Sequence, residues 1–385
     1  MPPTLPCPPE DELLLLLVHG RHSPDRDARI RGLLGASLDW TALLRHAHVH
    51  GVVPLVAHHL HRLGSAEVPP AVAAEFQRLA FLHCGRNLLL ARELRQVLQH
   101  LMTAGVPVIP LKGIALASAL YGPYMLRVSG DIDILVRRAQ VQHAVGVLEA
   151  NGYRAEGPWQ RWVAAPYHME IPLIPRAGRR YPLDLHWGLI GGDPRNYGAA
   201  EDLWAAARPT TVLGVEAWAM SPEWELLFLA LHAAGHQWHG LKWLVDIQEI
   251  CWTWALDWQS VWAIARKWGW EEILRLTIGA CQSLWELPTA HGAGSVPWPS
   301  WLPQFPAPPL DRKWAKLRVM YLLFPQWSLR ISYVLRLIGT SSPNDYRWLP
   351  LPAGLSPLYF FLRPLRWVVM GAKQCFRTAL QRLGA

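Results

Sequence analysis

Cysteine is scarce in this 385-residue chain: Cys7, Cys84, Cys251, Cys281 and Cys375 are the only five, and no two are spaced as C-x-x-C. That pattern gives neither a disulfide framework nor a thiolate cage for zinc, and it points to a reducing compartment, so a cytoplasmic location is expected. Charge is also sparse, at 17% of residues against the usual quarter, while 51% are hydrophobic, a composition that folds rather than staying disordered. No basic segment precedes the apolar run Leu13 to Val18, which follows Glu10, Asp11 and Glu12, and no export signal is expected. The longest uncharged stretch, Leu287 to Leu310, holds seven prolines. A membrane span needs continuous backbone hydrogen bonding, so this stretch reads as a linker. There is no G-x-S-x-G elbow and no G-x-x-x-x-G-K-[ST] loop, which leaves acyl transfer and P-loop hydrolysis without support.

The basic excess is confined to one end. Of the net charge of +8, residues 311–385 carry 12 Lys and Arg against 2 acids, or +10, and the rest of the chain carries −2. The patterning divides the chain into a helical N-terminal region (1–103), an α/β core (104–200), a second helical region (201–286), the Pro-rich linker (287–310) and a basic helical C-terminal region (311–385). From Asp39 to His100 apolar residues recur at helical spacing, with breaks at Gly51 and Pro69-Pro70. Strand-like segments follow at Val106 to Leu111, Asp131 to Val136, Tyr153 to Ala155, His168 to Ile174 and Tyr181 to Leu189, with helices predicted over Ile114 to Tyr121 and from Val141 to Asn151-Gly152. After about residue 200 only helix is predicted, starting at the cap Ser221-Pro222-Glu223, with a kink near Gly235 and a second helix from Leu241. The fold class expected is α+β, a small mixed sheet flanked by helical regions on both sides. The 22 tryptophans sit mostly beside leucines and valines and read as core.

The sharpest chemical signal is Leu111-Lys112-Gly113, then Arg127, then Gly130-Asp131-Ile132-Asp133-Ile134-Leu135-Val136. Strand alternation puts Asp131 and Asp133 side by side, with Ile132, Ile134 and Val136 on the opposite face. Two adjacent carboxylates repel unless a cation lies between them, and a hard divalent ion such as Mg²⁺ suits the pair. Alone, the triplet reads first as an edge strand with a solvated acidic face. Gly113 at a strand-to-helix turn adds an anion-holding helix start, and Lys112 and Arg127 add positive charge. Asp184 and His186 in Tyr181-Pro182-Leu183-Asp184-Leu185-His186-Trp187 share a strand face. Asp184 completes a metal site or serves as general base toward an acceptor hydroxyl; the alternative is a polar outer sheet face. His232, His236 and His239 are spaced as zinc ligands, but Ala233 stands where a metalloprotease has its Glu, and Gly235 and Gly240 interrupt the helix. A structural or substrate-facing role is expected for these histidines, and a salt bridge for Lys242 with Asp246.

The order Leu-Lys-Gly, Leu120-Tyr121, Arg127, Asp-Ile-Asp, Asp-Leu-His-Trp, then His232, His236, Trp238, Leu241-Lys242-Trp243 and Asp246 resembles the uncharacterised bacterial nucleotidyltransferase family of the DNA polymerase β-like superfamily. The resemblance runs from about residue 35 to 370. It implies that Asp131 and Asp133 bind divalent metal, Mg²⁺ or Mn²⁺, that Asp184 is the third carboxylate, and that Gly113 and Lys112 lie against nucleotide phosphates. Arg127, His186, His232, His236 and Lys242 are carried as substrate-binding residues. One departure is visible: the wider superfamily has Gly-Ser or Gly-Gly closer to its Asp pair, whereas Ile114 follows Gly113 here and Asp131 lies 18 positions on. The function implied is nucleotidyl transfer from a nucleoside triphosphate to a small-molecule or peptide acceptor. A nucleotide-sugar transferase and a non-catalytic nucleotide-binding module are the alternatives. Nucleic acid is not an expected partner, since the +10 lacks a recognition motif. The basic C-terminus, with Val369, Ala372, Phe376, Ala379, Leu380 and Leu383 on one helical face and Arg366, Lys373 and Arg377 along its edge, is expected to dock on the protein's core, with peripheral contact to anionic lipid as the alternative.

Overall fold

The computed structural model describes residues 8–19, 23–64, 67–122, 124–157, 159–164, 168–176, 178–190, 196–285 and 287, with scattered positions between 327 and 369. The run Leu13 to Val18 is a core helix: α1 (Pro9–Leu17) puts Glu10, Asp11 and Glu12 in its first turn, where the helix dipole favours acids, and buries Leu13, Leu14 and Leu17. Ser23 caps α2 (Pro24–Leu34) and Asp39 caps α3 (Trp40–Val49), each accepting from a backbone N–H three residues on. Next come α4 (Val53–Leu63), closed by left-handed Gly64, and α5 (Pro70–Thr103), which starts at the Pro69-Pro70 pair.

The sheet is built from β1 (Val108–Leu111), β2 (Ile132–Val136), β3 (Tyr153–Ala155), β4 (Glu170–Pro175) and β5 (Leu183–His186), in the order β1-β2-β5-β4-β3. Between them run α6 (Gly113–Leu120), α7 (Val141–Ala150) and α8 (Trp159–Ala164). β2 and β5 are parallel and the other pairs antiparallel, so the sheet is small and mixed, in an α+β architecture. β2 lies inside the sheet and all five of its residues are buried, which rules out the solvated edge strand.

One expectation fails. After α9 (Asn196–Ala206) the chain forms a hairpin, β6 (Arg208–Val212) with β7 (Val215–Ala219), where only helix was predicted. Leu213 and Gly214 between the strands both have positive φ, the geometry of a type I′ turn that matches strand twist. Helices α10 (Pro222–Gly235), α11 (Leu241–Thr253), α12 (Trp258–Trp268) and α13 (Glu271–Leu284) follow, and α14 (Pro343–Trp348) lies near the C-terminus. The linker 287–310, apart from Leu287, and the helical face beyond Val369 lie outside the described residues. Among the described residues no helix is long and apolar enough to cross a membrane.

The two sheet faces meet different cores. Ile132, Ile134, Val136, Leu183 and Leu185 pack with α5 and α7, as alternation predicts for the face away from the acids. Ile109, Leu111 and Leu135 join a second core shared by α1 to α4 and by α10 to α13, so helices from both ends of the described chain close over the acidic face.

Candidate active site

Parallel pairing of β2 with β5 sets Asp133 directly beside Asp184, and Leu135 beside His186. β4 on the far side of β5 sets Glu170 opposite His186. Asp131 stands just ahead of β2. Each of Asp131, Asp133 and Asp184 offers one carboxylate oxygen to a common point, all within 4.8 Å of one another.

Asp133 is the buried member, 4% exposed. Its Oδ1 lies 3.1 Å from His186 Nε2, and the other nitrogen of that ring, Nδ1, lies 3.2 Å from Glu170 Oε2. Lys112 Nζ is 3.2 Å from Asp133 Oδ2, so the ammonium pairs with this buried oxygen. Burial alone raises the Asp133 carboxyl pKa, but the His186 hydrogen bond and the Lys112 charge outweigh it and leave it below the usual range. Burial likewise disfavours charge on His186, yet Glu170 and Asp133 raise its pKa above the ordinary imidazole value. Asp184 goes the other way: burial first, then the Glu170 charge, push it up to about 7.

That shift has a measurable consequence. An acid whose folded pKa is raised from about 4 adds stability that is fully present below pH 4 and is lost as pH rises through about 7. In metal-free protein, Asp184→Asn should therefore raise the thermal midpoint more at pH 8 than at pH 5, by about 2 kcal/mol or roughly 4–8 °C. Equal effects at the two pH values would remove the raised Asp184 pKa from the account.

Lys112 itself is strained, with φ 40 and ψ −143, and Gly113 follows at φ 53. A non-glycine residue there costs on the order of 1–3 kcal/mol, which persists only where surrounding contacts impose it. The turn reverses the chain from β1 into α6 and brings the ammonium back over Asp133. A Cβ on Gly113 would meet nothing nearer than the Asp131 carbonyl oxygen at 3.9 Å, so positive φ rather than crowding calls for glycine. The first α6 hydrogen bond runs from Leu116 N to Lys112 O, which leaves the amides ahead of it without intrahelical acceptors beside Asp131.

Other expected residues are placed differently. Arg127 is buried, with Nε 3.0 and 2.9 Å from the two Asp246 oxygens and a terminal nitrogen 2.8 Å from Oδ2. Two nitrogens of its fork hold the Asp246 carboxylate. Asp246, fully buried, takes Arg127 and the Tyr121 hydroxyl (2.9 Å) as partners rather than Lys242, and Asn87 donates to the Arg127 carbonyl. The Lys242 ammonium instead lies 5.4 Å from the Trp243 ring centre. Its pKa is lowered by burial and by the Arg127 charge, with Asp246 and Asp131 opposing. α10 stops at Gly235, so His232, His236 and His239 do not share a helix face; Gln237 and Trp238 turn away with positive φ. His232 and His236 pack at 4.7 Å, and His236 stacks on Trp243 at 4.5 Å. Burial, then the charge of Lys112, hold His232 neutral. Among the described residues, the acidic trio is the one group of three or more side chains placed to share a metal.

Glu170 and Asn87 were not singled out in the sequence, and Tyr121 entered only as part of the family resemblance. Glu170 was open to detection, as the single acid in the strand run His168 to Ile174.

No curated protein matches the chain. A family model described as an uncharacterised nucleotidyltransferase matches residues 36–286, which take in the whole sheet, the acidic trio and α10 to α13 up to the end of the helical core. With well over half of its length matched, the chain belongs to that nucleotidyltransferase family.

Proposed function

We propose that the chain transfers a nucleoside monophosphate from a nucleoside triphosphate to a hydroxyl or phosphate of a small-molecule or peptide acceptor, using Mg²⁺ or Mn²⁺. The observation that carries this reading is the convergence of three carboxylates from a loop and two parallel strands beside an open helix start. The donor set fits a hard divalent cation: it is all oxygen, the three carboxylates meet at one point, and burial, then the Glu170 charge, hold Asp184 at about 7. Asp131, Asp133 and Asp184 would hold the ion, which when bound supplies neutralisation of charge on attacking and leaving oxygens.

The remaining work falls to the chain. The α6 amides and Lys112 hold the donor phosphates from one side and Lys242, at the start of α11, from the other. His186, tied to Glu170, fixes the Asp133 carboxylate in place. An acceptor oxygen bonds to the α-phosphorus, the bond to the β-phosphate bridging oxygen breaks, and pyrophosphate leaves. Asp184, at the point where the carboxylates meet, is the group placed to take the acceptor proton. Nucleoside triphosphates and free thiols at Cys84, Cys251 and Cys281 agree with a cytoplasmic setting.

Nucleoside triphosphates and nucleotide sugars, each screened with Mg²⁺ or Mn²⁺ by thermal shift and then for product, test the reading. Metal-dependent pyrophosphate release from a triphosphate supports it; nucleoside diphosphate release from a nucleotide sugar, or binding without turnover, overturns it. Lys112→Met should weaken donor affinity by about 10- to 100-fold, the worth of a charged hydrogen bond, while acceptor KM stays level. Unchanged donor affinity would return Lys112 to a purely structural role.

A further inference from the structure

Near the C-terminus the usual polarity of a helix is reversed. Asp345 on α14 is 1% exposed, with Arg363 and Arg366 both buried against it at 3.0 Å. Tyr359 is buried beside them, and its hydroxyl donates to the Leu349 carbonyl and accepts from Leu351 N. Positions 359–363 and 365–366 are helical, and the buried ones among them are Tyr359, Arg363 and Arg366, so the polar side chains face inward. The stripe Leu358, Phe361 and Leu365 faces outward, Phe361 being 72% exposed. Nine of the fifteen large apolar side chains exposed among the described residues lie between positions 327 and 365. Tyr346 lies against Gly157, 3.4 Å from where a Cβ would stand, which ties the segment to the folded core.

In water a helix buries its apolar stripe and exposes its charges. The reverse arrangement is suited to an apolar neighbour, and the sequence around it says which: residues 311–385 carry +10. A basic segment presenting aromatic and leucine side chains matches the headgroup zone of an anionic bilayer, where apolar insertion and attraction to acidic lipid act together. We infer that the outward face formed by Leu358, Phe361 and Leu365 is a membrane-surface contact for anionic lipid. The charges of Arg363 and Arg366 are held by Asp345, so attraction to lipid comes from the other basic residues of 311–385, and these two arginines hold the apolar stripe in place. The ion pairs of Asp345 with Arg363 and Arg366 and the hydrogen bonds of Tyr359 lie within this segment, so the inference does not rest on the proposed activity.

The test uses the full chain with vesicles of phosphatidylcholine alone and with about a third phosphatidylglycerol. Sedimentation with the anionic vesicles only is expected, and it should weaken in about 0.5 M salt. The double variant Phe361→Ser, Leu365→Ser should lower the partition coefficient by about tenfold or more, since two exposed apolar groups lose their burial. Its thermal midpoint and metal-dependent turnover should match wild type. Equal sedimentation of variant and wild type, or no preference for anionic vesicles, overturns the inference. So does a concentration-dependent dimer in light scattering that the variant abolishes, because a second copy would then cover the face.

Discussion

Asp131→Asn is expected to lower metal-dependent pyrophosphate release by more than about a hundredfold, since loss of a mere hydrogen-bond partner to a metal ligand already costs about 10- to 100-fold. The fold should be unharmed. Asp131 is partly exposed and is one of three mutually repelling carboxylates, so the thermal midpoint of the metal-free variant should equal or exceed that of wild type. Mn²⁺ affinity measured by paramagnetic resonance without nucleotide should fall in parallel. Asp133→Asn is the less clean substitution, because it strips Lys112 and His186 of their shared anion and changes stability as well as chemistry. Near-normal, metal-dependent turnover by Asp131→Asn would exclude the trio as the metal site.

The second large effect lies away from the chemistry. Arg127→Met leaves the Asp246 carboxylate fully buried with only the Tyr121 hydroxyl, and should destabilise the protein by about 3–5 kcal/mol. Thermal melting should register this as a midpoint lower by roughly ten degrees. Arg127→Met with Asp246→Leu should recover most of the loss, because no charge then remains without its partner. If the single variant melts with wild type while donor affinity collapses, Arg127 is a phosphate ligand after all and the strut is incidental.

What could be read in advance follows from how local each feature is. Strand alternation in Asp131 to Val136 places the acids on one face and Ile132, Ile134 and Val136 on the other, and the structure keeps that division. The breaks at Gly51, Pro69-Pro70 and Gly235 are properties of the residues themselves and fall at helix ends. The hairpin of β6 and β7 escaped because Leu213 offers no turn chemistry, and only Gly214 hints at positive φ. Arg127 with Asp246 escaped for a different reason. The two are 119 positions apart, and nothing in either neighbourhood distinguishes an arginine that meets a phosphate from one that meets a buried carboxylate. Lys242 with Asp246, at helical spacing, was the more visible pairing and not the one formed. Glu170 was visible as the single acid of its strand run, but its partner His186 followed only from the register of β4 against β5.

The core that spans α1 to α4 and α10 to α13 limits how this protein could be dissected. A fragment holding residues 104–200 would contain every carboxylate of the trio, yet Ile109, Leu111 and Leu135 would be bare on the very face where the acids sit. Such a fragment should aggregate rather than turn over. Residues far apart in the chain thus jointly enclose one acidic face: a gene fusion that keeps only the motif-bearing stretch would inherit the carboxylates without the enclosure, and a library aimed at the space over them would have to vary the enclosing helices instead.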